Sequence, residues 1–493
     1  MKKIVISIFV AAMACICPVA TLAGTGDVII AVNDTVSMPL TDIIGLGLPL
    51  LYIETVDSEE PTCEYVSAPS GCMGKTIRNA TKVPGRMVMY QRINGFDSVL
   101  YDSGNYEDDV SGMTIKLRGN TTAYEPKKPY KIKLQKKFDL LMGGNDAVYK
   151  DKEWLLLRDD YLTTIAGFKI SEMVGMVWVP RYHFVNVVMN GTYRGVYLLC
   201  ESVKRNPDCR LNVDKNTGFI FECDPYWWNE NVYVYSERNP SYNYTFKYPD
   251  DEDITDEQLA YMQTLVTAFE ASQKKSNYPD MIDVRSFAAW CLVHDITGTK
   301  DSGGSNRYYT KYDTTAASKI VMPLAWDFDM AEHVSSTWSK SHTSHMTNLF
   351  NNANRTYVGT FVEIWYGIRL TMLQDITDFL TQFGQSEEGV GLNASFAINK
   401  LVYGTNLTVS TDVNARKSWY RYRYPWLDNA VLALIPRGDV NLDGSVDVAD
   451  VTSLIDMILT GEGQFRCPAD MDLDGTVGIS DVTLLIDKIL GAN

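Results

Sequence analysis

The sequence predicts an α+β protein: a β-rich first half and an α-rich second half form two lobes around a cleft, followed by a small all-α module of two loop–helix repeats. Three observations carry this. Apolar residues alternate in short runs up to about residue 201, then recur at helical spacing. An Asp/Gly-rich segment near the end repeats with a period of 31 residues. The composition, 45% hydrophobic and 11% aromatic over 493 residues, is too apolar for a disordered chain and too long for one ordinary domain.

Residues 1–23 stand apart. Lys2 and Lys3 precede an apolar run from Ile4 to Ala14, and a Pro18-broken stretch ends in Thr21-Leu22-Ala23. Small residues at −3 and −1 mark a secretory signal peptide, so the expected location is secreted or extracellular, including the cell surface. Ala12-Met13-Ala14-Cys15 loosely resembles a lipoprotein box but lacks its usual Leu, which makes lipid anchoring the less favoured route. No later stretch approaches 18 consecutive apolar residues, so no transmembrane span is expected. Cys63 and Cys72 flank a short Ser/Pro/Gly loop and are plausible disulfide partners in an oxidising compartment.

The formal charge is −16. Residues 437–493 hold eleven acidic against three basic residues, −8, half of the total. That balance argues against nucleic acid as a partner and for local cation binding.

In residues 24–436, Gly47–Glu54, Met87–Gln91 and Met113–Leu117 read as strands. Tyr130-Lys131-Ile132-Lys133-Leu134 alternates cleanly, with the two lysines on the face opposite the apolar residues. Phe184–Met189 and Tyr193–Glu201 flank Asn190-Gly191, a type I′ hairpin turn. Thr255–Lys275, Asp283–Asp295, Phe361–Phe383 and Val413–Leu434 follow with helical periodicity.

Four segments of this domain carry candidate chemistry. Arg118-Gly119-Asn120-Thr121-Thr122 is a Gly turn after a strand that can bring backbone N–H groups to a phosphate, which Lys131 or Lys133 would neutralise. Glu201, at the end of a hairpin strand, is placed to pair such a lysine. Asp301 and Asn306, on a Gly-rich loop, suit a general base and a metal ligand. Trp326-Asp327-Phe328-Asp329 follows an apolar run, Lys319–Ala325, read as a strand, and echoes the metal-binding Asp-Phe-Gly of kinases. Asp301-Ser302-Gly303-Gly304 also copies part of a serine-protease motif, but none of the five histidines sits in that family's context. His333, His342 and His345 with Glu332 are better read as solvated loop residues than as a zinc cluster.

Taken in order, RGNTT at 118–122, PKKPYKIKL at 126–134, Trp154-Leu-Leu-Leu, the Val187–Glu201 hairpin, Asp301 to Asn306 and Trp326–Asp329 resemble the CotH kinase family. These are secreted and spore-coat atypical protein kinases. The resemblance runs from about residue 45 to 430. It implies a two-lobe atypical kinase-like domain in which Asp301 is the catalytic base and Asn306 and Asp327, or Asp329 in place of Asp327, hold Mg²⁺ or Mn²⁺. Lys131 or Lys133, with Glu201 nearby and Arg118 at the turn, would bind the phosphates of ATP.

The 31-residue repeat aligns Asp439, Asn441, Asp443, Gly444, Ser445, Asp447 and Asp450 with Asp470, Asp472, Asp474, Gly475, Thr476, Gly478 and Asp481. Side-chain oxygens at positions 1, 3 and 5, a Gly at 6, a backbone carbonyl at 7 and a carboxylate at 12 are what a Ca²⁺ ion asks of a loop, so two sites are expected. Position 9 is Asp447 in one loop and Gly478 in the other, which predicts a weaker second site. Each loop runs into an amphipathic stripe, Val451 to Leu459 and Val482 to Leu490. Asp rather than Glu at position 12, and no entering helix, make the segment resemble a type I dockerin, which implies a cohesin module of a scaffold as partner. Specificity in that family sits near loop positions 10 and 11, here Val448-Ala449 and Ile479-Ser480.

Together these resemblances imply an exported kinase phosphorylating Ser or Thr of exported proteins, tethered by its dockerin to a cellulosome-like scaffold. The alternative is a non-catalytic cell-surface, adhesion or structural module of the same fold, linked to polysaccharide-degrading complexes.

Overall fold

Alternating apolar residues build the first half. Strands form at Leu50–Thr55 (β1), Val83–Ile93 (β2), Met113–Leu117 (β3), Tyr130–Phe138 (β4), Asp151–Leu157 (β5), Tyr182–Met189 (β6) and Thr192–Glu201 (β7). The computed structural model describes residues 28–491 except 143–145, 160, 304–305, 340–341, 343–345, 352–354 and 464. The expected signal peptide and His345 lie outside the described residues. The strands pair in the order β5-β4-β3-β2-β1-β6-β7, and β7 returns to pair with β5, so seven strands close into a barrel. Closure leaves these strands no unpaired edge. Ile53, Met87, Ile115, Ile132, Trp154 and Leu199 are buried and pack into one cluster within it. Lys131 and Lys133 alternate with those residues and point outward, as the pattern predicts. Asn190 and Gly191 both have positive φ, 51° and 71°, which a type I′ turn requires. Leu199→Ala is expected to cost about 2–5 kcal/mol through lost transfer energy and the cavity left behind, read as an earlier thermal transition by calorimetry.

A second sheet and a set of helices complete the large domain. Phe219–Asp224 (β8) lies between Asn243–Tyr248 (β9) and Arg307–Lys311 (β10). The helices are Thr163–Val174 (α1), Asp256–Ser272 (α2), Val284–Thr297 (α3), Thr356–Gln385 (α4), Glu387–Tyr403 (α5) and Val409–Leu432 (α6). A Thr255/Gln258 capping box starts α2, and the Asp283 carboxylate caps α3. Phe221, Phe269, Phe287 and Tyr309 join sheet and helices in one core.

Several secondary-structure elements depart from the sequence expectations. The β8–β10 sheet lies beyond the expected strand-to-helix changeover. The expected strand 319–325 shrinks to Ile320–Val321, because Pro323 has no N–H for a ladder. Helix α1 shows no amphipathic period because it is buried nearly all round. In α5, Gly389 and Gly391 mask the helical signal. Gly391 is needed for packing: a Cβ there would meet the Gly47 carbonyl carbon at 2.8 Å.

Cys63 and Cys72 are both free. The hairpin between them pairs Glu64 with Arg78 and Ser67 with Lys75. Cys63 therefore sits at its open end and Cys72 in its tip, too far apart for a bond that needs Cα atoms within about 7 Å.

At the C-terminal end, Val448–Thr460 (α7) and Ile479–Ile489 (α8) each follow an Asp-rich loop. Val440, Leu454, Met471, Val482 and Leu485 form their own small core. Leu442 and Cys467 are instead buried against the large domain. Among the described residues, no helix is long and apolar enough to cross a membrane.

Candidate functional site

The loop after β3, the end of β5 and the residues beyond it, the first half of α1, the loop before β10 and the segment that follows Ile320–Val321 line a cleft of about 370 Å³. Arg118, Gly119 and Asn120 line it together with Asp301, Asn306, Asp327 and Asp329. Residues some 200 positions apart thus meet in one place. Gly119, at φ 89°, makes the turn: a Cβ there would meet Thr122 Oγ1 at 2.5 Å. Asn306 and Asp327 both hold left-handed backbone, φ 80° and 68°. That conformation is costly away from glycine and concentrates at functional sites. It brings Asn306 Nδ2 to 2.5 Å from Asp327 Oδ2, while Glu222 Oε1 accepts the Asn306 N–H at 2.8 Å.

Two of the three aspartates, Asp327 and Asp301, are raised by burial and then by crowding. Asp327 is held well above the usual carboxylate range, first by the loss of water around it and then by the Asp329 and Asp301 charges; Arg118 partly opposes this. Asp301 reaches the solvent in the cleft, yet the surrounding walls and then the Asp329 charge raise it to about 6. Crowded carboxylates with an amide oxygen beside them form an oxygen-only donor set, which suits Mg²⁺ or Mn²⁺. A divalent cation would also relieve the repulsion that raises these groups. The residues present therefore fit such an ion.

The phosphate-binding side differs from the sequence expectation. Lys131 points away from the barrel interior and pairs with Glu153 at 2.7 Å, and Lys133 is exposed. Neither lines the cleft. Glu201 pairs with neither lysine: its carboxylate accepts from the Arg181 guanidinium at 3.0 Å and from the Arg181 N–H at 2.9 Å. Strand alternation correctly put both lysines on one face, but that face is not the one turned to the cleft. Among the described residues, the cations lining the cleft are Arg118 and Arg158.

Other participants went unnoticed in the sequence. Glu222 bridges the Asn306 N–H and Lys247 Nζ, the latter at 3.1 Å. Asp224, two residues on, is raised to about 7 by burial and then by the Glu222 charge. Two acids at i and i+2 within the otherwise apolar Phe219–Asp224 strand were the available signal. Tyr226 and Tyr161 also line the cleft, with no sequence signal to mark them.

Ser302 and His342 are both taken up in packing, whereas His333 is exposed as expected. The Ser302 hydroxyl donates to the Thr299 carbonyl, and buried His294 is pushed down to about 3 and stays neutral. His342 is not solvated as expected: it is sandwiched between Trp338 and Phe350 and lies 3.2 Å from Asp295 Oδ2.

The two Asp-rich loops are near copies. Leu442 and Leu473 have φ 57° and 62°, and Gly444 and Gly475 φ 94° and 92°. The position-12 carboxylates stitch each loop: Asp450 accepts from the N–H groups of Val440, Asn441 and Asp447, and Asp481 from those of Met471 and Gly478. Asn441, Asp443 and Ser445 interlock through short Asx turns, as do Asp472, Asp474 and Thr476. Ligand oxygens of Asp470, Asp472 and Asp481 lie within 4.8 Å of one another, and Asp470 Oδ1 is buried without a hydrogen-bond partner. A hard cation there would satisfy that oxygen, so the loop fits Ca²⁺. Asp447 caps α7 by accepting the Ala449 N–H at 2.8 Å. One of its oxygens is thus partly committed, which narrows the expected advantage of the first loop over the second.

A family model described as CotH kinase protein matches residues 115–363, and one described as Dockerin type I domain matches residues 437–490. No curated protein matches the chain.

Proposed function

We propose, from the premise that this chain belongs to the CotH kinase protein family and carries a dockerin type I domain, that its cleft transfers a phosphoryl group to Ser or Thr of exported proteins. The observation that carries this reading is the meeting of Asp301, Asn306, Asp327 and Asp329 with Arg118 in one cleft. Asn306, with Asp327 or Asp329, would hold the ion. Asp301 would orient the acceptor hydroxyl and take its proton, while Arg118 and the backbone of Gly119–Asn120 face the phosphates. ATP with Mg²⁺ or Mn²⁺ would supply the phosphoryl group and the positive charge that neutralises it.

Purified protein should transfer label from γ-labelled ATP to itself or an acceptor, and Asp301→Ala should abolish transfer. Because the base must be ionised, the rate should fall as pH drops through about 6, the value to which Asp301 is raised. Ser302→Ala should change the rate less than about twofold, since that hydroxyl serves a turn.

One observation favours a second reading, a non-catalytic surface or adhesion module. No lysine is among the described residues lining the cleft. Calorimetry showing no nucleotide binding with either metal would select it.

The dockerin reading extends to a scaffold tether outside the cell. It is supported by apolar residues left exposed in pairs 31 apart: Val448 and Ile479 at 69% and 78%, Ile455 and Ile486 at 39% each, Leu459 and Leu490 at 78% and 75%. A repeated apolar stripe of this kind marks a binding face, and a cohesin module is the partner the family implies. Leu459→Asp with Leu490→Asp should abolish cohesin capture while leaving calcium binding intact, checked by pull-down and calorimetry.

A further inference from the structure

One stripe of the long helix α4, begun by its N-cap Arg355, rests on the two calcium loops. Arg355, Gly359, Glu363, Tyr366 and Leu370 follow one another at steps of four, four, three and four, so they share a face. Arg355 Nη1 lies 3.4 Å from Asp439 Oδ2, the first ligand position of the first loop. Gly359 admits the close approach of Leu442 and Phe465: a Cβ there would meet them at 2.7 Å and 2.9 Å. Glu363 Oε2 accepts the N–H groups of Arg466 and Cys467, at 2.7 Å and 3.0 Å, on the strap entering the second loop. Leu370 reaches the second loop at Gly475.

Tyr366 makes the decisive contact. Its hydroxyl donates to Asp470 Oδ2 at 2.6 Å, and the Gly475 N–H donates to the same oxygen at 2.8 Å. The other oxygen, Oδ1, is buried with no hydrogen-bond partner, and the ligand oxygens of Asp472 and Asp481 lie close by. Asp470 is fully buried and Tyr366 only 9% exposed. One carboxylate oxygen is thus tied to the large domain while the other is left for an ion. Groups that hold a ligand in this way commonly set a metal's affinity as strongly as a ligand does.

We propose that Tyr366 of the large domain is a positioning residue for the second calcium ion, so that calcium loading and the docking of the C-terminal module onto α4 are one linked equilibrium. Linkage is reciprocal. Whatever Tyr366 contributes to ion affinity, the ion contributes to fastening the module in a single orientation. That orientation leaves the Val448/Ile479 stripe outward, so calcium sets both the partner-binding face and its direction relative to the cleft. The inference rests on the calcium reading of the loops.

The test uses the full chain, with calcium titrated against a chromophoric chelator and hydrogen exchange followed over residues 356–372. Wild type should bind two ions, and calcium should slow exchange on α4. Tyr366→Phe, which keeps the ring and removes only the donor, should weaken one site about tenfold, leave the other unchanged and blunt the protection of α4. Asp474→Ala, in an exposed ligand position whose carboxylate accepts from Thr476 of its own loop, should abolish the second site and the same protection. A Tyr366→Phe protein that binds both ions like wild type, or α4 exchange that ignores calcium, would overturn the inference. Wild type that binds no calcium would instead overturn the reading of the loops, and the inference with it.

Discussion

Asp327→Asn is expected to lower phosphoryl transfer by at least about a thousandfold, the scale seen when a group acting directly on transition-state charge is lost, while making the metal-free protein more heat-stable. Both effects have one origin. Asp327 is crowded by Asp329 and Asp301 in a cleft that strips it of water, and its carboxyl stays protonated well above the usual range. A carboxyl raised in the folded state is destabilising once ionised. The repulsion is absent below the ordinary carboxylate value of about 4 and grows as pH rises toward the raised value. An amide removes that repulsion and still accepts from Asn306 Nδ2, so the gain should appear near neutral pH and vanish in acid. It also removes the charge that a divalent ion requires. Thermal scans in EDTA from pH 3 to 8, with calorimetry of Mg²⁺–ATP binding, would check both. Equal melting temperatures at neutral pH would refute the crowding argument, and retained transfer would refute the metal role of Asp327.

Removing calcium is expected to abolish capture by a cohesin module and to loosen α7 and α8. The 437–493 segment carries −8 over a core of few residues, too little apolar burial to hold such charge in a compact state. Two Ca²⁺ ions cancel half of that charge and take up the oxygens that converge on each loop. Asp443→Ala should impair the first site and Asp474→Ala the second, each costing roughly tenfold or more in partner affinity through disorder of one half of the paired stripe. Surface binding assays in calcium and in EGTA would measure this. Capture that is equal in both would exclude a calcium-built interface.

The comparison between sequence and structure divides along contact range. The two Asp-rich loops were legible because the spacing of their side-chain oxygens within twelve positions, repeated after 31, is local. Six of the seven barrel strands and the Asn190-Gly191 turn were legible for the same reason, since alternation and a two-residue turn are local; β5, Asp151–Leu157, was not read as a strand. Asp301, Asn306 and Asp327 were found as motifs, and the cleft brings them together.

Tertiary structure alone decided the rest. Closure of β5 on β7 pairs Trp154 with Glu201, a choice among partners that the alternating pattern of either strand leaves open. The lysine face is plain from period-2 alternation, but whether it turns to the cleft depends on how the closed barrel sits against the helices; it turns to Glu153 instead. Glu201 finds Arg181, and Tyr366 finds Asp470 across 104 positions. Local chemistry by itself determined which groups this chain possesses and how neighbouring ones are spaced. Packing of an apolar interior, which conveys no preference among equally polar surface groups, decided which of them meet.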